Sequence, residues 1–335
     1  MRRCLMFVAC ALVGLGVCTE SLSAQKRVVI ARPAPPPARP DTAPPPASSR
    51  TSAQRAMTPG LLFRAVSVSS YVLSRLDDNV NRDTIGAISV GMISGLTGRF
   101  ESGPVRPWLT LEYDIALHRY SATTRFNRLS QRGRSTVAAR VRRWWTVDLA
   151  IEGTLKGSSE DRDVADQLAV QPRAEFRLGS ARRLRLVASQ RWRRFPTDTA
   201  QNARNRYFAA EFRHRFAEGG DFEAEARVER NDAIGSRFVY DRSTYTTGYV
   251  TPLGKRALLH VELQYRIQAY PGRFVEIRDR DYPRRDHRLQ PAAALRYQLR
   301  PFTLEMSYEP EWRLSNDPTR SIDQQVLLFG LRHRW

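Results

Sequence analysis

Lysine is almost missing from this chain. Of 54 basic residues only Lys26, Lys156 and Lys255 are lysine; the rest are arginine, and the formal net charge is +20. Cysteine is confined to Cys4, Cys10 and Cys18, so the chain beyond them offers neither a disulfide framework nor a thiolate site. After Val17 no apolar run is long enough for a spanning helix, which needs about 20 residues. No phosphate-binding glycine loop, dinucleotide fingerprint or zinc-finger spacing occurs, so no cofactor or metal is expected. The five histidines, His118, His214, His260, His287 and His333, are scattered, and no motif ties a serine to any of them. Asp114, His118 and Ser121 form the nearest local grouping, but their spacing on a strand gives no reason for a catalytic triad.

The apolar residues that are present begin at the N-terminus. Arg2 and Arg3 precede an apolar run from Cys4 to Val17 and a small-residue exit at Ser21–Ala24. This is the pattern of a secretory signal peptide over residues 1–24, although Leu22 is bulky for the third position before a cut at Ala24. Residues 25–58 hold Pro33, Pro35, Pro36, Pro37, Pro40, Pro44, Pro45 and Pro46. Such a composition favours extended polyproline conformers and cannot build a core, so the segment is expected to be a disordered periplasmic linker. Export, together with the scatter of arginines along the chain, argues against nucleic acid as a partner despite the basic charge.

Residues 59–335 read as strands. Val105, Pro107, Leu109, Leu111, Tyr113, Ile115 and Leu117 alternate with Arg106, Trp108, Thr110, Glu112, Asp114, Ala116 and His118. The same period of two runs through Trp145–Lys156, Ala257–Gln268 and Phe302–Glu309. About 14 such runs can be marked, many of them near the 9–11 residues that cross a bilayer when tilted. Short connections are expected at Gly98–Gly103, Arg142–Trp144, Gly179–Arg183, Ala217–Asp221, Leu253–Arg256 and Arg300–Pro301. Long polar loops are expected at 74–84, 121–134, 157–165, 195–205, 231–243, 269–288 and 315–323. Aromatic residues fall at two levels: Phe100, Trp144, Trp145, Phe216, Phe222, Phe302 and Trp335 beside short turns, and Tyr71, Tyr120, Trp192, Tyr207, Phe208, Tyr240, Tyr270 and Trp312 beside long loops. A two-sheet sandwich would also give one apolar face per strand. It would not explain this rhythm of connection lengths.

The last run, Gln325 to Trp335, places Leu327, Phe329, Leu331, His333 and Trp335 on one face and ends on an aromatic. A final strand of this kind resembles the C-terminal signature of bacterial outer-membrane β-barrel proteins, with Phe329, Leu331 and Trp335 as its assembly signal. The resemblance covers about residues 60–335. It implies an all-β, transmembrane, antiparallel up-and-down barrel with short periplasmic turns and long external loops. It also implies an outer-membrane location in a diderm bacterium, and outer-membrane lipids, lipopolysaccharide and the barrel-assembly machinery as partners.

If the apolar face meets lipid, the other face lines the lumen. There the sequence places Glu112, Arg140, Arg173, Arg177, Arg185, Arg213, Arg227, Glu225, Glu262 and Arg296. Rings of arginine favour anions. The expected function is a narrow, charged, porin-like pore for small polar or anionic solutes. The alternatives are a salt-bridge-filled structural or assembly and export barrel, and a hydrolase with its site at the rim. The stretch Tyr270–Arg288 is expected to be the longest loop, either folded inward as a constriction or solvated outside with its arginines against lipopolysaccharide phosphates.

Overall fold

The computed structural model describes residues 63–79, 88–102, 107–121, 127–157, 165–217, 219–277 and 279–335. The expected signal peptide and proline-rich linker lie outside these residues.

Fourteen strands follow one another: β1 (Phe63–Asp77), β2 (Ser89–Ser102), β3 (Trp108–Tyr120), β4 (Arg128–Arg142), β5 (Trp145–Gly157), β6 (Asp166–Arg177), β7 (Arg182–Arg194), β8 (Ala203–Arg215), β9 (Asp221–Ala233), β10 (Tyr240–Leu253), β11 (Ala257–Ile277), β12 (Arg280–Leu299), β13 (Phe302–Ser315) and β14 (Ile322–Arg334). Each pairs antiparallel with its sequence neighbours, and β1 pairs with β14, so the sheet closes into a barrel. Closure removes the sheet edges, and ladder groups pair from strand to strand as hydrocarbon requires, with breaks around Pro172 in the β6–β7 ladder and around Pro291 and Pro310 in the β12–β13 ladder. Both strand ends of the chain lie at the short-turn end, as an even strand number demands.

The seam is fastened at both ends. The Trp335 amide donates to the Val68 carbonyl at 3.0 Å. At the loop end the Asp78 amide donates to the Gln325 carbonyl at 3.2 Å, and the Gln325 amide donates to Asp78 Oδ1 at 2.6 Å. At the same end the buried Gln324 side-chain amide donates to both Asp77 carboxylate oxygens at 2.8 and 3.0 Å.

Alternation sorts the side chains. Leu111, Tyr113, Leu117, Leu149, Ile151, Leu155, Phe208, Val261, Leu263, Met306, Phe329 and Leu331 all point outward and are exposed. An exposed apolar band around a closed cylinder is what lipid covers. Inward positions carry the charges.

Several connections differ from the sequence reading. Gly98–Ser102 is not a turn but the end of β2; β3 starts at Trp108, and Gly103 and Val105 lie outside the described residues. The segment 128–134 belongs to β4, and 203–205 to β8. Residues 269–288 are not a loop. They form a hairpin in which β11 and β12, of 21 and 20 residues, meet at a turn around Asp279. Asp279 has φ 62°, the left-handed conformation that aspartate tolerates. The stretch lacks an apolar face because it extends past the lipid band, where water meets both sides. A register shift between Tyr270 and Phe274 bends it. It leans on the 3₁₀ turn Ser236–Phe238, where Arg273 Nε donates to the Arg237 carbonyl at 2.6 Å.

The aromatic levels are half corrected as well. Trp144, Phe216, Phe302 and Trp335 are exposed at the short-turn end, and Trp192, Phe208 and Trp312 near the loop end. Tyr71, Tyr120, Tyr207, Tyr240 and Tyr270, by contrast, share the register of the inward charges and face the lumen. Tyr245, Tyr265 and Tyr308 take outward places instead.

Candidate functional site: the charged lumen

Ladder register fixes which inward side chains meet. Neighbouring strands bring like rows side by side, so charges pair across the sheet. At the short-turn end Arg99 reaches Glu101 at 2.6 Å and Glu112 at 3.0 Å. Arg132 and Arg134 share Glu152, at 2.7 and 3.5 Å, and Arg173 pairs with Asp148. Arg185 bridges Glu175 (2.7 Å) and Glu211 (3.5 Å). Arg213 reaches Asp221 at 2.9 Å and Glu223 at 3.3 Å. Arg227 pairs with Glu225 at 3.1 Å, and Arg296 with Glu305 at 3.3 Å. Glu262 lies 3.9 Å from His260 Nε2. Arg140 sits over the Trp108 ring at 5.6 Å. Arg177 faces Arg183 across the β6–β7 ladder and has no ion-pair partner among the described residues. All ten lumen residues expected from the sequence thus point inward. They do not form one constriction; they are strung around and along the wall.

The two halves of the lumen differ. Towards the short turns the guanidiniums of Arg99, Arg183 and Arg215 stay nearly half exposed. Towards the loops the charges are buried. Arg75 pairs with Asp77, and Arg284 with Asp286 at 2.5 Å, each side chain less than a tenth exposed. Glu311 holds Arg288 at 2.5 Å and Arg313 at 3.3 Å. Glu229 Oε1 accepts from Asn205 Nδ2 (2.8 Å), the Tyr240 hydroxyl (3.0 Å) and Arg242 Nη1 (3.3 Å). Guanidiniums also lie on tyrosine faces: Arg227 over Tyr207 at 4.6 Å, Arg242 over Tyr240 at 4.4 Å, and Arg284 over Tyr270 at 4.6 Å. Charges buried this deeply persist only when paired and hydrogen-bonded, and these largely are.

The seam wall of the same half carries an apolar patch beside the Arg75–Asp77 pair. Leu73, Ile93, Val326 and Leu328 project inward from β1, β2 and β14 and are buried. The lumen therefore has a basic, tyrosine-rich side on β7–β13 and a greasy side at the seam.

Sequence reasoning missed Arg75, Asp77, Arg242, Arg284, Arg288 and Arg313. Continuing the parity of β11 past Gln268 to Tyr270, instead of ending the strand at Gln268, would have found the register of the outer half. The histidine grouping does not assemble. His118 Nε2 meets Ser130 Oγ at 2.8 Å, Asp114 accepts from Thr97 Oγ1 at 2.5 Å and from Tyr71, and Ser121 Oγ donates to the Val90 carbonyl at 2.7 Å. Asp286 and His287 point to opposite faces of β12: Asp286 to Arg284 inside, His287 to the Tyr265 hydroxyl outside, so the two cannot share a cation.

No protein-family model matches the chain, and no curated protein matches it by sequence. Solved structures do match in fold. OmpT, an outer membrane protein of Vibrio cholerae, folded in vitro and in its trimer form, is 10% identical with a TM-score of 0.51 over 81% of this chain and 99% of that one. An anion-selective porin from Comamonas acidovorans is 8% identical with a TM-score of 0.47, over 81% and 99%. A closed, even-stranded antiparallel cylinder with an apolar outside and a charged inside is the fold of a bacterial outer-membrane β-barrel, and the outer membrane is where such a surface is stable.

Proposed function

We propose that this barrel is a narrow pore for small polar and anionic solutes. The observation that carries the reading is the inward face of β7. It presents Arg183, Arg185, Arg191 and Arg193 and no acid. Glu175 and Glu211 of the neighbouring strands hold Arg185, while Arg177 of β6 has no ion-pair partner among the described residues. Surplus guanidinium charge along one wall lowers the energy of an anion in the lumen and raises that of a cation. Between the water-facing arginines near the short turns and the buried network near the loops, a solute would leave open water and meet fixed hydrogen-bond donors.

The test is ion selectivity of purified protein in a planar bilayer under a salt gradient. The reversal potential should show anion preference. Arg177→Glu should reduce it, and this variant breaks none of the ion pairs described above. A second reading, a barrel filled by its own salt bridges, rests on the buried Arg75–Asp77 and Arg284–Asp286 pairs. Absence of any conductance would favour it and overturn the pore.

A further inference from the structure

One inward row of the outer half differs from every other. Arg227, Thr244, Arg266, Arg288 and Arg313 are successive cross-strand partners from β9 to β13. Four guanidiniums therefore stand in an arc interrupted by a single threonine. Arg227 has Glu225, and Arg288 and Arg313 divide Glu311 between them. Arg266, at the centre, has no carboxylate partner among the described residues. Its Nη2 donates only to Gln264 Oε1 at 2.8 Å, and its Nε is shielded from solvent with no hydrogen-bond partner. A small pocket opens beside it, with Arg227, Thr244, Thr246 and Gln264 in the wall and Glu225 and Glu262 on the side nearer the short turns.

A half-buried guanidinium with no carboxylate in contact is costly. The planar fork of arginine matches an oxyanion. We infer that the Arg227–Arg266–Arg288–Arg313 arc is a binding subsite for a small oxyanion, with Arg266 as the residue that meets it. The Thr244 hydroxyl is placed beside Arg266 to donate as well. The two carboxylates on the short-turn side bias the anion towards the arc. The inference rests on the proposed pore only in that the lumen must admit the ion.

Inorganic phosphate is the probe, applied to the whole protein in two arms. In planar bilayers, phosphate added to a chloride solution should reduce the current. Arg266→Gln should raise the half-blocking concentration roughly tenfold, as the loss of a charge-assisted hydrogen bond implies. Arg204→Gln removes the same charge from the outward face of β8 and should change it by less than about twofold, because surface charges are screened. In detergent, phosphate should raise the unfolding temperature of the unaltered protein and fail to raise that of Arg266→Gln. Equal block, or equal stabilisation, in Arg266→Gln and the unaltered protein overturns the inference. If no protein conducts yet the thermal arm behaves as expected, the pore reading fails and the oxyanion site stands. Should Arg266→Gln not fold, Arg266→Lys keeps the charge but loses the fork. It should also weaken the phosphate effect, and an unchanged effect overturns the site.

Discussion

The orientation of the two faces can be tested with two arginines on adjacent strands. Phe329 lies one residue past the middle of β14, points outward and is 48% exposed. An aromatic side chain presents roughly 200 Å² in all, so about 100 Å² of Phe329 meets whatever surrounds the barrel. At about 25 cal/mol per Å² this contact is worth roughly 2.5 kcal/mol. An arginine near the bilayer midplane adds about 2–4 kcal/mol. Phe329→Arg should therefore cost on the order of 4–6 kcal/mol, much of the 5–15 kcal/mol that holds a typical fold. Ser307, the β13 partner of Leu328, points the other way and donates to Glu309 at 3.2 Å. Ser307→Arg places the same charge in the lumen between Glu305 and Glu309, at a cost near zero. Folding yield into phospholipid vesicles, followed by urea unfolding, measures both. If Ser307→Arg is as damaging as Phe329→Arg, the assignment of lipid and lumen faces is refuted. The paired outcome matters more than either variant alone, because a general intolerance to arginine would affect both.

Two further perturbations concern the seam. A Cβ at Gly330 would stand 2.8 Å from the Val72 carbonyl oxygen and 3.0 Å from Leu73 Cα, whereas Gly153 has nothing within 4 Å. Gly330→Ala should lower stability by about 1–3 kcal/mol through overpacking, while Gly153→Ala stays within about 0.5 kcal/mol; heat-induced unfolding in detergent separates them, and equal effects would contradict the seam packing. Burial, and then the neighbouring Asp77 and Asp323, raise the Asp78 carboxyl above its ordinary value against the opposing bond from the Gln325 amide. Asp78 therefore contributes stability below its unfolded pKa and loses it as pH rises through the folded one. Asp78→Asn keeps the acceptor for Gln325 and should flatten that pH dependence, stabilising the barrel at neutral pH; a variant with the same pH profile as the unaltered protein would dismiss Asp78 as its source.

The parts of the fold that were legible in the sequence are those where one face touches lipid. Trp145–Leu155, Ala257–Ile267 and Phe302–Tyr308 alternate because hydrocarbon tolerates only apolar side chains outside and the charged lumen does the reverse inside. Strand number, closure and the inward placement of Arg140, Arg185 or Glu225 follow from that contrast. Where it fades, so did the reading. In 231–243 and 269–288 the outward positions hold Asp232, Asp241, Ser243 and Arg285, so no alternation marks the strand. The same blindness hid Tyr207, Tyr240 and Tyr270: an aromatic near a strand end counts as an interface residue unless its parity is known, and parity was lost where the strand was cut short.

This has a consequence for where specificity resides. A barrel's middle is constrained on both faces, by lipid outside and by the need to pair lumen ions inside. Its outer end is constrained outside only by water, so inward residues there are free to follow the solute. In this chain that end carries the densest chemistry: arginines on tyrosine faces, Glu229 with three donors, and the Arg266 arc opposite the apolar patch of Leu73, Ile93, Val326 and Leu328. Arg185 and Arg213 each have two carboxylates within 4 Å and so present little net charge to a passing ion. Selectivity should follow the guanidiniums whose charge is not cancelled locally, Arg177 at the short-turn end and Arg266 in the outer half, rather than the more numerous arginines already engaged in pairs.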